Sequence, residues 1–214
     1  MIKNRIKKTI RKTVVGFALL AGIVVAGGNP ASAAIVPGTV DANNNPLLTD
    51  TPYFMYVSTK DDGVNGQTRT AVDYDRWLTQ DFLFAQNLND ESPPMKVTFT
   101  QSQRGGTQIR VVDYAPGNDR DYLMFDPAWG FPVIGNPSAD GDYRMSHWTL
   151  RDGPIVTNNG RQEYGNFITN NYLEANGWAS RLKAFSPGGW LYVTGSSNRP
   201  SEDWDVFVFH PAGL

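Results

Sequence analysis

Asp73-Tyr74-Asp75-Arg76-Trp77-Leu78-Thr79-Gln80-Asp81-Phe82-Leu83-Phe84-Ala85-Gln86-Asn87-Leu88 is the stretch whose periodicity sets the expected fold. Tyr74, Trp77, Leu78, Phe82, Ala85 and Leu88 fall at i, i+3, i+4, i+8, i+11 and i+14, the spacing of one apolar helix face. Ninety residues further on, Tyr164, Phe167, Ile168, Tyr172, Ala175 and Trp178 repeat that spacing step for step. Asn176-Gly177 supplies a left-handed cap after the second stretch, and Asn87 and Asn89 offer the next best residue after the first. Phe84 lies off the face and leaves Asp81 to Leu88 open to a strand.

The repeat extends beyond these segments. Laying 53–88 on 143–178 without gaps gives nine identities in 36 positions: Tyr53/Tyr143, Met55/Met145, Thr59/Thr149, Asp62/Asp152, Gly63/Gly153, Tyr74/Tyr164, Thr79/Thr169, Leu83/Leu173 and Ala85/Ala175. Average residue usage gives roughly two or three. Aromatic-rich strands at Tyr53 to Thr59 and Tyr143 to Thr149, closed by Asp-Gly turns, precede the two helices. A hairpin follows each, Val97 to Tyr114 around Gly105-Gly106 and Leu182 to Thr194 around Pro187-Gly188-Gly189. A last strand closes each unit, Asp121 to Phe125 and Asp205 to Phe209, with the offset drifting to eighty-four.

The expected fold class is therefore α+β: two tandem duplicated units, 53–128 and 143–214, each an antiparallel sheet packed on one helix in the order strand, helix, three strands. The all-β alternatives are a sandwich or a trefoil. Residues 129–142 read as the connector, and 34–52, rich in Pro, Asn and Thr, as a flexible N-terminal arm. Within the arm, Asp41 to Asn45 imitates the start of a calcium loop, but Pro46 and Pro52 stand where the essential Gly and Glu belong, so no metal is expected there.

Residues 1–33 read as a secretory signal peptide: Lys3, Arg5, Lys7, Lys8, Arg11 and Lys12, then an apolar run from Val14 to Ala26, then Ala31-Ser32-Ala33. The run is too short for a stable membrane anchor. An extracellular protein is expected, with no lipid-accepting cysteine and no disulfides, because the chain has no cysteine. Removing the leader takes six of the 19 basic residues and none of the 21 acids, leaving 13 − 21 = −8. A surface that acidic disfavours nucleic acid and anionic lipid.

Candidate chemistry is sparse. His147 and His210 are the two histidines, and no Gly-x-Ser-x-Gly, His-Glu-x-x-His or phosphate loop accompanies them. The carboxylates Asp119, Asp121 and Asp126, or Glu202, Asp203 and Asp205, offer acid/base pairs, yet Asp121 and Asp205 match between the units and fit a turn role better. The aromatics carry more: Trp129 in the connector and Trp190 after a Gly-Gly turn are placed for exposure, whereas Trp204 alternates with Val206 and Val208 as a core residue does. The binding set is Trp129, His147, Trp148, Trp190 and His210, positions where the two units diverge, with no cofactor and no metal. The expected function is a secreted, non-enzymatic recognition protein with a protein partner; a glycan-binding module or glycan-acting hydrolase is the alternative, and a structural protein of the cell envelope the third reading.

Overall fold

The computed structural model describes residues 38–58, 69–87, 92–112, 114, 121–137, 142–178, 180–184, 186–194 and 205–213. The leader expected over 1–33 lies outside the described residues, as do Trp204, Asp119, Glu202 and Asp203. The described chain is nearly all β. Its strands are β1 (Tyr53–Ser58), β2 (Arg69–Trp77), β3 (Gln80–Ala85), β4 (Lys96–Gln101), β5 (Thr107–Val111), β6 (Tyr122–Asp126), β7 (Phe131–Gly135), β8 (Trp148–Asn158), β9 (Arg161–Asn170), β10 (Arg181–Ala184), β11 (Leu191–Thr194) and β12 (Val206–Pro211). One short helix, α1 (Asn171–Ala175), and a 3₁₀ turn at Tyr143–Ser146 complete it among the described residues.

The expected α+β class is overturned. A closed antiparallel circuit runs through nine strands, β1, β2, β3, β7, β6, β5, β8, β9 and β12, and back to β1. β4 cuts across that circuit by pairing with both β5 and β1. The shorter ring β1–β4–β5–β8–β9–β12 is a six-strand barrel, and β2–β3, β6–β7 and β10–β11 are three hairpins standing outside it. This is trefoil connectivity: three four-strand units at 53–101, 107–158 and 161–211. The pairings of β5 with β8 and of β1 with β12 join residues of 53–128 to residues of 143–214 in one ring.

The first expected helix is the β2–β3 hairpin, with Trp77 opposite Gln80 across a two-residue turn. Its helical spacing is accidental, since β3 buries residues on both faces and so lacks the alternation that marks a half-exposed strand. The second is the C-terminal half of β9 running into α1, where Asn170 Oδ1 caps the helix by accepting from Tyr172 N and Leu173 N. The offset of eighty-four fails likewise: Asp205 precedes a barrel strand and Asp121 a hairpin strand. Asp205 pairs with Arg181 at 2.7 Å and Asp121 with Arg110. The β4–β5 and β10–β11 hairpins occupy the segments where glycine turns placed hairpins.

Residues 38–52 are folded rather than an arm. Leu47 is fully buried in the main core, and Ala42 donates to Phe209 O at 2.8 Å. Asp41 Oδ1 accepts from Asn43 N at 2.8 Å and Asn45 N at 2.9 Å, so the calcium-loop imitation is a self-capped turn.

Inside the barrel, Met55, Val57, Val97, Phe99, Ile109, Trp148, Leu150, Ile168, Phe207 and Phe209 form one cluster. Each such side chain contributes about 1.5–3 kcal/mol by leaving water. Gly165 lets β9 pass beneath β12, since a Cβ there would lie 2.3 Å from Val206 Cγ1 and 2.9 Å from Pro154 O.

Candidate functional site

Hairpin registers sort the side chains of β2, β3, β7 and β6 onto two faces. Val72, Leu83, Ala85, Ile134, Leu123 and Phe125 turn inward and join the main core. Trp77, Asp75 and Asp73, then Gln80, Phe82 and Phe84, then Phe131, Val133 and Gly135, then Tyr122, Met124 and Asp126, share the outer face. Phe82, Met124 and Val133 are buried there in a small core of their own, against Tyr122, Phe131 and Met145. A sheet face turned away from the barrel is ordinarily polar; this one is not.

Its cover comes from the tips of all three hairpins. Trp77 ends β2, Trp129 sits in the β6–β7 turn, and Trp190 leads into β11. Phe82 is the hub, with ring centroids 5.8 Å from Trp77, 6.0 Å from Trp129 and 5.8 Å from Trp190. Trp77 and Trp129 also meet edge to face at 5.7 Å. Although packed on Phe82, the three stay open to solvent: Trp77 is 51%, Trp129 41% and Trp190 38% exposed, and Leu78 at the β2–β3 tip is 67% exposed.

Local chemistry fixes each tip. Asp126 Oδ1 accepts from Ala128 N and Asp126 O from Gly130 N, both at 2.8 Å, which builds the turn that carries Trp129. Trp190 is held by β3 itself, since Ala85 N donates to Gly189 O at 2.9 Å and Gly188 N to Ala85 O at 2.7 Å. Leu78 has φ +58°, a left-handed conformation that a leucine adopts at a cost of about 1–2 kcal/mol, in a turn position that Gly or Asn normally fills.

Beside the aromatic cover lies a cleft of about 210 Å3, lined by Gln80, Met124, Phe125, Asp126, Pro127, Val133, Gly135 and Met145. Polar and apolar atoms share its lining, with Gln80 and Asp126 as the polar side chains.

The five expected binding residues separate. Trp129 and Trp190 come together through Phe82. Trp148 does not join them: it is fully buried in the barrel, its Nε1 donating to Leu123 O at 2.8 Å. A tryptophan beside the connector looked divergent in sequence because it starts β8, a strand of the ring. His147 is buried too, its Nδ1 against Tyr143 O and its Nε2 without a hydrogen-bond partner among the described residues. Burial, with Arg104 nearby, lowers its pKa below the usual 6.5 and keeps the ring neutral.

His210 belongs to an ion-pair cluster in which Glu163 and His210 stand on barrel strands and Arg69 comes from β2. Arg69 Nη1 bridges Glu163 Oε1 and His210 Nε2, and its guanidinium lies 4.4 Å over the Tyr56 ring. Burial first, then the Arg69 charge, lowers the His210 pKa. Glu163 is nearly fully buried, so this cluster neutralises an internal carboxylate. At Asp81, the Tyr114 hydroxyl donates to the carboxylate, and burial together with that bond pushes the phenol up to about 12.

The sequence reading missed Trp77 and Leu78 as surface residues and Phe82 as the hub beneath them, having spent all three on a helix face. The one signal for them was the pair of alternating phenylalanines at Phe82 and Phe84, out of phase with any helix.

Among the described residues no group of three or more His, Asp or Glu is arranged to hold a metal, and no helix is long and apolar enough to cross a membrane. The arrangement defines a class: an all-β trefoil-connected barrel whose hairpin cap carries an exposed aromatic surface. No protein-family model matches the chain, and no curated protein matches it.

Proposed function

We propose that this chain is an exported, non-enzymatic recognition protein that binds another protein through the outer face of its hairpin cap. The observation that carries the reading is the convergence of Trp77, Trp129 and Trp190, one from each hairpin, on Phe82 while all three remain exposed. Tryptophan is the residue most enriched at the energetic centre of protein interfaces. Leu78, held at positive φ at an exposed tip, adds strain there. Asp73, Asp75 and Asp126 border the aromatics on the same face, and the hairpin part of that face, from 73 to 135, presents no Lys or Arg at its register positions. Acidic carboxylates around an apolar centre suit a partner with a basic rim.

The glycan alternative is less well supported by geometry, because the three indoles meet Phe82 or one another edge to face rather than lying open as flat platforms. Export rests on the leader motif of 1–33 and on the negative charge left after its removal.

The test offers immobilised wild-type, Trp129→Ala and Trp190→Ala chains to secreted proteins and to insoluble polysaccharide in parallel. A protein ligand bound by wild type and weakened by roughly 1–3 kcal/mol in either variant, with thermal unfolding unchanged, is the expected result. Tryptophan-dependent retention on polysaccharide alone would move the function to glycan binding. A protein ligand indifferent to both substitutions would refute the placement of the site.

A further inference from the structure

We infer that the cleft between β6, β7 and the 3₁₀ turn is a specificity pocket for one basic side chain of the protein partner, a lysine or arginine inserted beside the aromatic face. The inference rests on the protein-recognition reading and names what that partner must present. At about 210 Å3 the cleft falls below the ~300–1,000 Å3 of ordinary small-molecule sites, a size for one long side chain rather than a whole ligand or a folded segment. Met124, Pro127, Val133 and Met145 give walls of aliphatic and thioether surface, which suit the methylene stem of a long cationic residue and can adjust to its path. Gly135 stands on the same face as Phe131 and Val133, and the side chain it lacks leaves room for an inserted group.

Charge then selects the head group. Asp126 makes one hydrogen bond through Oδ1, from Ala128 N, and has no ion-pair partner among the described residues. Arg144, next to Met145 in sequence, is held by Asp142 at 2.6 Å and does not serve it. The Gln80 amide also makes no hydrogen bond to another described residue. A carboxylate and an amide beside the aliphatic and thioether surface of Met124, Val133 and Met145 match an ammonium or guanidinium on an aliphatic stem.

The pocket is tested on the full chain labelled with 13C at its methionine methyls, titrated with N-acetyl-lysine methylamide and, separately, its uncharged isostere N-acetyl-norleucine methylamide. Met55 and Met95, buried in the main core, serve as internal controls. The lysine probe is expected to shift Met124 and Met145 in a saturable manner, to leave Met55 and Met95 in place, and to bind at least about tenfold better than norleucine. Asp126→Asn keeps an Oδ1 acceptor for Ala128 N while removing the charge, so it preserves the turn and is expected to erase the preference for lysine. Equal response to the two probes, no response, an undiminished preference in Asp126→Asn, or a response to glucose in place of lysine would each overturn the pocket. A failure of this kind, alongside a protein ligand that still depends on Trp129, would remove the pocket and leave the aromatic face standing. Loss of Trp129 dependence with the lysine preference intact would do the reverse.

Discussion

The two faces of the cap sheet are built from the same strands and the same kinds of residue, yet they are buried by different means. Leu83, Leu123 and Ile134 turn inward and pack with the barrel interior, including Phe99 and Trp148. Phe82, Met124 and Val133, one residue out of phase, are also shielded, but by Tyr122, Phe131 and Met145 and, over Phe82, by the rings of hairpin tips that are themselves half in water. The inner cover is fixed by twelve strands; the outer cover is a few side chains on three turns. Burial alone therefore does not say which residues hold the fold. What lies above them does, and an outer core roofed by tryptophan is one that a partner can complete.

Substitution can break that comparison. Trp148→Ala removes the largest fully buried side chain and strands Leu123 O without its donor, so a loss of about 3–5 kcal/mol is expected in chemical denaturation. Phe82→Ala, although just as buried, should cost less, about 2 kcal/mol, because the three indoles can settle into the space. It should also shift tryptophan emission as the rings lose their hub. Equal losses for the two would mean that the outer core is structural in the same sense as the inner one.

Smaller effects sharpen the contrast. Trp129→Ala should change stability by less than about 1 kcal/mol while weakening partner binding, since its ring covers rather than fills. Leu78→Gly should raise stability, by up to about 1 kcal/mol, by relieving the positive φ at an exposed tip. A drop in stability instead would show that the leucine packs where the tip looks open. The smallest change expected is with pH. His147 has a folded pKa below its ordinary 6.5, so the unfolded chain takes up a proton first as pH falls. Its stabilising contribution is whole above pH 6.5 and is lost below it as the pH drops through the folded pKa. Denaturation midpoints at pH 7.5 and 5.5 should therefore differ in wild type, and His147→Gln should narrow the gap.

Turn chemistry was legible in the sequence and sheet burial was not. Gly105-Gly106 and Pro187-Gly188-Gly189 marked two hairpins at the right places, because only residues free to adopt positive φ fit there. The β2–β3 turn carried no such mark: Leu78 and Thr79 are poor turn formers, and the apolar run Phe82-Leu83-Phe84-Ala85 of β3 erased the period of two. Trp129 and Trp190 could be picked out because each follows a turn signal. Trp77, preceding an unmarked turn, could not. His147 and His210 were singled out for being scarce, but scarcity carries no geometry; one is buried in the barrel wall and the other tied to Arg69 and Glu163. The ninety-residue repeat compared a hairpin with a strand that runs into a helix, and its aromatic matches reflect a chain rich in such residues.

The pairing of β1 with β12 also governs when this molecule can exist. Tyr53 lies opposite Pro211, so the seam of the ring joins residues 211 − 53 = 158 positions apart, and β12 also supplies the bridge to β9. Until that final strand is present, β1 and β9 each keep an unpaired edge. Such distant pairing places folding in the millisecond-to-second range rather than microseconds. A chain of this design stays open until β12 has joined β1 and β9, and the ring of contacts closes in that one step.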